Sequence, residues 1–431
     1  MKKVYLYMLL AASVFSLQSC LHDNEDVFDT PAAQRIEEIV AADKALLESA
    51  TNGWKFEYYL GDEYTYGGHN YFVKFEKGKA YVRGEVGGPD YVSSSSYDVI
   101  TDMGPVLTFN TYNEVMHEYS QPYSSAVDGY EGDFEFVIMK TTNDSIYLQG
   151  KKWGNKMLMT RLADGFDAAD YLTKVAELAD AINFFDYTAE VNGKKVDIEL
   201  DIDYNQIRYT DANGEAASTP FIYTPTGIKL HDPVTFNGVS MQYFDFAFTE
   251  TEQWFTEKAS SVKFTGIPVE GWKPYDSYVG TYDLKYARGT LRVKLVPTGD
   301  KTTYTLEGLS DKFSPVVTWS KKTGQPTLYA QHVGDGDGFQ AWMAVWDTAQ
   351  GYLSWGTSYG MILRPNEDVS ELTFRNNEQW PGYIISGFIM WRMNADGSAS
   401  LGNMSAATYK EWWINGSPQF ARPTTMTRVS E

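Results

Sequence analysis

Four patterns in the chain bring together residue types that could do chemistry. Gly356-Thr-Ser358-Tyr-Gly360 fits G-x-S-x-G, the turn that presents a nucleophilic serine in α/β-hydrolases. That elbow needs a strand before the serine and a helix after it. Here Met361-Ile-Leu-Arg-Pro365 follows, a strand pattern ended by proline, so a Gly-rich turn is expected. Asp335-Gly-Asp337-Gly338 begins like a calcium loop, yet the next oxygen ligand would fall on Phe339 and the closing glutamate on Trp346. A tight hairpin turn is the expectation there. The five histidines, His22, His69, His117, His231 and His332, stand at no spacing that sets two zinc ligands on one face of an element. No metal and no cofactor are expected. Asp197, Glu199, Asp201 and Asp203 alternate with Val196, Ile198, Leu200 and Ile202, which places four carboxylates on one face of a strand, about 7 Å apart. They could hold a cation or a basic partner. A solvated face that discourages aggregation is the plainer reading and the one expected.

Cys20 is the chain's only cysteine. Lys2 and Lys3 precede an apolar run, Val4 to Leu17, that is too short for a spanning helix of about 20 residues and has the form of a secretory leader. Leu17-Gln18-Ser19-Cys20 resembles the bacterial lipobox, in which the cysteine thiol takes a diacylglycerol. Residues 1–19 then read as a lipoprotein signal peptide, Cys20 as the lipid anchor, and residues 20–30, with their Asp-Asn-Glu-Asp run, as an acidic tether. Such a run resembles a surface-export signal of outer-membrane lipoproteins, so a place on the outer membrane facing the exterior is expected.

Acids outnumber bases by 57 to 36, a net charge of −21, which argues against nucleic acid because that binding rests on cations neutralising phosphate. The same charge leaves the lipid at Cys20 as the expected membrane contact. Hydrophobic residues at 43% supply a core over this length, and 31 Tyr with 12 Trp favour β-structure.

The elements follow from periodicity. A stripe of Ile36, Ile39, Val40, Leu46, Leu47 and Ala50 predicts a helix begun by Thr30-Pro31 and ended by Gly53. Trp54, Phe56, Tyr58 and Leu60 then alternate with Lys55, Glu57 and Tyr59 as a half-buried strand, and further strands run to Leu162. Gly87 to Ser96 reads as a mobile loop. A second helix is predicted near Asp167, with the stripe Leu172, Val175, Leu178, Ala179, Ile182 and Phe185, and strands resume to Phe264. Thr101-Asp-Met-Gly104-Pro-Val-Leu107 and Thr224-Pro-Thr226-Gly227-Ile-Lys-Leu230 hint at two related halves. Gly266 to Pro274 is the clearest linker. The expected fold class is therefore mostly β with two helices (α+β). Its parts are a helix-plus-sheet domain at 31–165, a second at 166–270, and an all-β sandwich or barrel-like domain at 275–431. In the last, Phe339 to Trp346 is apolar on both faces, as in a strand packed between two layers.

Eight of the 12 tryptophans follow the linker. Tryptophan stacks on sugar rings and packs peptide side chains. Trp342 and Trp391 sit inside strands and are expected in the core. Trp380, Trp412 and Trp413 lie in loop-like sequence and are the candidate ligand contacts.

Gly104-Pro-Val-Leu-Thr-Phe-Asn-Thr-Tyr-Asn113, Glu118-Tyr-Ser-Gln-Pro122 and Gly132-Asp-Phe-Glu-Phe136 resemble the Bacteroides-type surface lipoproteins of domain-of-unknown-function family 4302. The resemblance runs from the lipobox through about residue 270. It implies an accessory part of a nutrient-uptake system, alongside a TonB-dependent transporter and a SusD-like lipoprotein, and it carries no catalytic residues. The expected role is non-enzymatic binding of a glycan or peptide ligand. The alternatives are a surface hydrolase using carboxylates from distant strands and a scaffold that touches only its transporter.

Overall fold

The computed structural model describes residues 31–102, 104–123 and 126–429. Three closed antiparallel barrels of eight strands follow one another along the chain, so the fold is mostly β, with few helices. The chain divides into two compact units, one holding the first barrel and the other the second and third. Cys20, the leader, the acidic tether and Thr30 lie outside the described residues.

Helix α1 (Ala32–Glu48) starts after Pro31, whose φ of −56° suits a helix entry. The helix contacts β4 and β5 of the first barrel, and Leu47 near its end is fully buried. That barrel runs β1 (Trp54–Tyr59), β2 (Gly68–Glu76), β3 (Lys79–Gly84), β4 (Ser93–Thr101), β5 (Pro105–Phe109), β6 (Glu135–Thr141), β7 (Ser145–Gly150) and β8 (Lys156–Arg161) in unbroken order, with β8 closing on β1. Eight strands leave an interior just wide enough for side chains to fill. Aromatics fill it: Tyr58 stacks on Tyr71 at 4.8 Å and Phe56 meets Phe136 edge-on at 5.2 Å. Strand β1 is more deeply buried than the half-buried strand expected, since Glu57 and Tyr59 on its second face are also covered.

Part of the expected loop at 87–96 is strand. Serine has low strand propensity, but Ser93 and Ser95 point inward and work as hydrogen-bonding groups. Ser93 Oγ accepts the Glu114 N–H at 3.0 Å, and Asn113 Nδ2 donates to Ser95 Oγ at 3.3 Å.

Helix α2 (Ala168–Ala181) starts where its sequence predicts and is capped by Asp167, whose Oδ1 accepts the N–H groups of Ala169 and Asp170. The second barrel follows as β9 (Asp186–Val191), β10 (Lys194–Asp201), β11 (Gln206–Thr210), β12 (Ala216–Thr224), β13 (Gly227–Phe236), β14 (Val239–Phe248), β15 (Gln253–Glu257) and β16 (Lys263–Ile267), closed by β16 on β9. The two-residue turn Asn192-Gly193 joins β9 to β10 with both φ values positive, at 50° and 74°, the geometry that matches strand twist in a hairpin. The segments 101–107 and 224–230 both span the turn between the fourth and fifth strands of their barrels.

The third barrel begins β17 (Gly280–Tyr286), β18 (Gly289–Pro297), β19 (Thr303–Glu307), β20 (Val316–Ser320) and β21 (Gln325–Tyr329). The chain then leaves the barrel for β22 (Gln331–Gly336), β23 (Phe339–Trp346) and β24 (Leu353–Ser354). It returns as β25 (Gly360–Pro365) and β26 (Glu371–Asn376), leaves again for β27 (Gly387–Asn394), β28 (Ser400–Asn403) and β29 (Gln419–Ala421), and closes with β30 (Thr425–Arg428) on β17. The two excursions pair with each other through β23 and β27, making a second, six-stranded sheet. Its inner face, with Ala341, Met343, Val345, Phe388 and Met390, belongs to the same core as the barrel interior.

The segment 266–274 is an anchored connection. Trp272 meets Phe184 of the second barrel's core edge-on at 4.9 Å and Trp319 of the third at 6.1 Å, and its indole N–H donates to Lys321 O at 3.0 Å. Lys321 in turn reaches Asp180 at 3.1 Å.

Candidate ligand-binding surfaces

The second sheet has one face in the core and one turned away from it. Residues directly opposite across β23 and β27 share a face, so Trp342 lies beside Trp391, Ala344 beside Ile389 and Gln340 beside Met393. His332 of β22 is opposite Trp342 on the same face. Trp342, Trp346, Trp355 and Trp391 are all half-exposed there. Trp391 Nε1 donates to Ser400 Oγ at 2.8 Å and Trp342 Nε1 to Gln340 Oε1 at 3.0 Å, which fixes both rings. Trp355 meets Trp391 at 5.9 Å, and its enclosed Nε1 has no hydrogen-bond partner among the described residues. The expectation of a core role for Trp342 and Trp391 is corrected: alternation puts Ala341, Met343 and Val345 inward and the tryptophans outward.

The three tryptophans singled out from sequence fall in three different settings. Trp380 is sandwiched between Tyr359 at 5.7 Å and Tyr383 at 4.4 Å, and Tyr352 extends the ladder at 5.1 Å from Tyr383. Both of its faces are used. Trp412 ends a short 3₁₀ helix, is only 2% exposed and packs against Phe313 and Phe339, so it is core rather than loop. Trp413 is half-exposed, donates to Met404 O at 2.6 Å, and lines an open groove of ≈ 560 Å³ with Lys312, Lys410, Asp311 and Asn415.

A larger groove, ≈ 840 Å³, lies on the outer side of β25 and β26 under the connection 377–386. Ile362 and Arg375 are opposite each other on its floor, and Arg364 and Arg422 also line it. The connection is held rigidly: Trp380 is wedged in its ladder, Asn377 Nδ2 donates to Ser358 O at 2.8 Å, and Ile384 N donates to Asp347 Oδ2 at 3.1 Å. Asp347, 1% exposed, also accepts the N–H groups of Ala349 and Gln350. Those donors, led by the Gln350 N–H, hold its carboxyl below the usual range.

The remaining chemical patterns resolve into structure. Ser358 sits in an exposed turn that leads straight into β25, without the helix an elbow needs. Asp337-Gly338 forms the β22–β23 hairpin turn, with Gly338 at φ 73°. Asp197 and Glu199 on β10 are exposed, Asp201 at its end is half-buried and Asp203 lies in the following turn rather than on the strand. Asp197 pairs with Lys195 at 2.8 Å, and Arg208 pairs with both Glu199 and Asp201. In the first barrel, Glu85 accepts from Asn70 and meets His69 Nδ1 at 3.1 Å. Burial pushes the Glu85 carboxyl up, but His69 and Asn70 outweigh it and hold the group low. Asp133, 3% exposed, is the reverse: burial raises it, against the N–H groups of Lys152 and Trp153 that it accepts. Among the described residues no three His, Cys, Asp or Glu side chains gather as a metal site.

Sequence reasoning missed the arginine groove and the outward Trp face. Both depend on strand register, which single-strand patterns do not carry.

Residues 24–248 match DUF4302, a domain of unknown function, and so cover just over half of the chain. Residues 256–391 match a second domain of unknown function, DUF4987. No curated protein matches the chain.

Proposed function

The chain belongs to the DUF4302 family, whose function is unassigned, and we propose that this member is a lipid-anchored, non-enzymatic protein of the outer-membrane surface. In this reading it captures a glycan or peptide for a nutrient-uptake system built on a TonB-dependent transporter and a SusD-like lipoprotein. Cys20 with its lipobox and acidic run supports the anchor. The single observation that carries the binding role is the outward face of the second sheet, where Trp342, Trp346 and Trp391 are half-exposed on strands β23 and β27 and Trp355 is half-exposed just after β24. Aromatic rings fixed by hydrogen bonds lose little entropy when they meet a ligand, which suits a recognition surface.

The hydrolase alternative requires a carboxylic acid with a raised pKa beside a second carboxylate in a cleft. Asp133 and Glu135 line a small cleft of the first barrel, and Asp133 is the raised one. Its two oxygens are each engaged by a backbone N–H, which suits a turn clamp better than a proton donor. A binding and cleavage screen of the full chain over neutral glycans and peptides tests the reading. Binding without cleavage is expected, and the double variant Trp342→Ala/Trp391→Ala should weaken it about tenfold or more at unchanged melting temperature. Released products, or binding indifferent to both tryptophans, would overturn it. For the anchor, Cys20→Ser should leave the outer-membrane fraction.

A further inference from the structure

The groove over β25 and β26 has a composition that the chain as a whole makes improbable. With 57 acids against 36 bases, an arginine has an abundance of carboxylates to pair with. Arg364 has done so, at 3.3 Å from Glu270. Arg375 and Arg422 have not: among the described residues neither makes an ion pair, and the Arg422 side chain has only the Thr348 hydroxyl, at 3.5 Å. Three guanidinium groups thus line one groove with two carboxylates, Glu270, which holds Arg364, and Glu378, so the lining keeps a net positive charge and Arg375 and Arg422 make no ion pair among the described residues. Beside them Asn376 Oδ1 is enclosed and accepts from nothing among the described residues. An enclosed acceptor without a donor is destabilising, so its natural complement is a hydroxyl or N–H arriving with a ligand.

The lining also states what kind of anion fits. Arginine forks match a carboxylate in bidentate geometry. Asn376 and Gln325 offer amide groups, and Ile384, 66% exposed, offers an apolar edge. The one aromatic ring of the lining, Phe374, is only 6% exposed, so stacking on a neutral sugar is not available and charge must supply the affinity. An acidic peptide would gain most by adding a strand to a free sheet edge. There is none here, because β25 is paired with β21 and β26, and β26 with β25 and β30. The groove's volume, ≈ 840 Å³, lies within the range of small-ligand sites.

We propose that this groove binds a uronate-bearing oligosaccharide, its carboxylates held by Arg375 and Arg422 and a hydroxyl donated to Asn376. The inference rests on the third barrel being the ligand-binding part of the chain, and it adds an acidic sugar site distinct from the outward Trp face.

Titration calorimetry of the full chain with tetragalacturonate tests it, using the methyl-esterified tetramer, tetramannuronate and tetra-aspartate as comparisons. Saturable binding of a uronate tetramer is expected, weakened about tenfold or more by esterification and by Arg375→Ala or Arg422→Ala, and weakened by added salt. Arg375→Lys, which keeps the charge but not the fork, should lose affinity as well. Equal binding of the ester, equal or tighter binding of tetra-aspartate, arginine variants that bind as wild type, or no saturable binding of either uronate would overturn the proposal. Neutral-glycan binding that survives such a result would keep the broader reading while removing this groove from it.

Discussion

The first and third barrels close the same number of strands but treat their connections differently. In the first, β1 to β8 follow in chain order and the long connections fold back on the barrel's own rims. Their polar groups are consumed there, with Glu85 answering Asn70 and His69, and Asp133 answering Lys152 and Trp153. In the third, two excursions of the chain find each other and build a sheet that the closed barrel does not need for closure. That sheet carries half-exposed tryptophans and an indole N–H without an acceptor among the described residues, and the groove on the neighbouring barrel strand β26 adds two unpaired arginines, Arg375 and Arg422, and the enclosed Asn376 amide oxygen. Satisfied polar groups mark structure. Unsatisfied groups that line an open groove, unlike the core Trp412 indole and Tyr187 hydroxyl, are where an arriving ligand could supply the missing partner.

The largest test of this contrast is the joint that steadies the third barrel. Trp272→Ala removes ring contacts with Phe184 and Trp319 and a hydrogen bond to Lys321 O. Large-to-small changes of buried aromatics cost about 3–5 kcal/mol, and a half-buried ring such as Trp272 belongs at about 3. Hydrogen exchange should show loss of protection across residues 171–429, while the strands of the first barrel keep theirs. Equal loss in both units would erase the distinction between them.

A step down in size is Asp347→Asn. One acceptor oxygen replaces two, and the charge that strengthens those bonds goes, at a cost of about 2 kcal/mol near neutral pH. The folded-state carboxyl is depressed, so its contribution is present above the unfolded value of about 3.9 and is lost as pH falls through the lower folded value. Denaturant midpoints of variant and wild type should therefore converge in acid. The variant should also loosen the Ile384 edge of the groove, weakening uronate binding without touching an arginine.

Much of the scaffold was legible from sequence because barrels bury one face of each strand. The alternation from Val196 to Ile202 located β10, which starts two residues earlier, and the stripe from Leu172 located α2, which ends at Ala181, short of Ile182 and Phe185. The hint of two halves rested on segments that share a topological place, the turn between the fourth and fifth strands. What stayed hidden was long-range. Nothing local in Phe339–Trp346 says that its partner is Gly387–Asn394, and until that register is known the two faces of the strand are interchangeable. Hence local pattern alone puts Trp342 inward and Trp412 outward, the reverse of what forms. Arg375 and Arg422 lie far apart in the chain and gain meaning only when β25, β26 and the return to β30 set them in one groove. The Ser93–Ser96 run failed for a different reason, since buried serines hydrogen-bonded to a neighbouring loop defeat a propensity argument.

The smallest effect is expected at Asp133, and its sign is the useful part. Burial raises this carboxyl, so its stabilising contribution is fully present below the unfolded value of about 3.9 and is lost as pH rises through the folded one. At neutral pH the ionised group is a burden that its two N–H donors only partly offset. Asp133→Asn relieves the charge but surrenders one acceptor, and the two changes should leave the first barrel within about 1 kcal/mol of wild type at pH 7. On acidification wild type should gain relative to the variant, because only wild type can take up the proton. Asp347→Asn predicts the opposite drift, the variant closing on wild type as pH falls. Chemical denaturation of both variants at pH 7 and at a pH of about 2.5, below the unfolded value, measures the two slopes side by side. Slopes of the same sign would mean that the two aspartates sit in equivalent environments, and the contrast between the barrels would lose its electrostatic half.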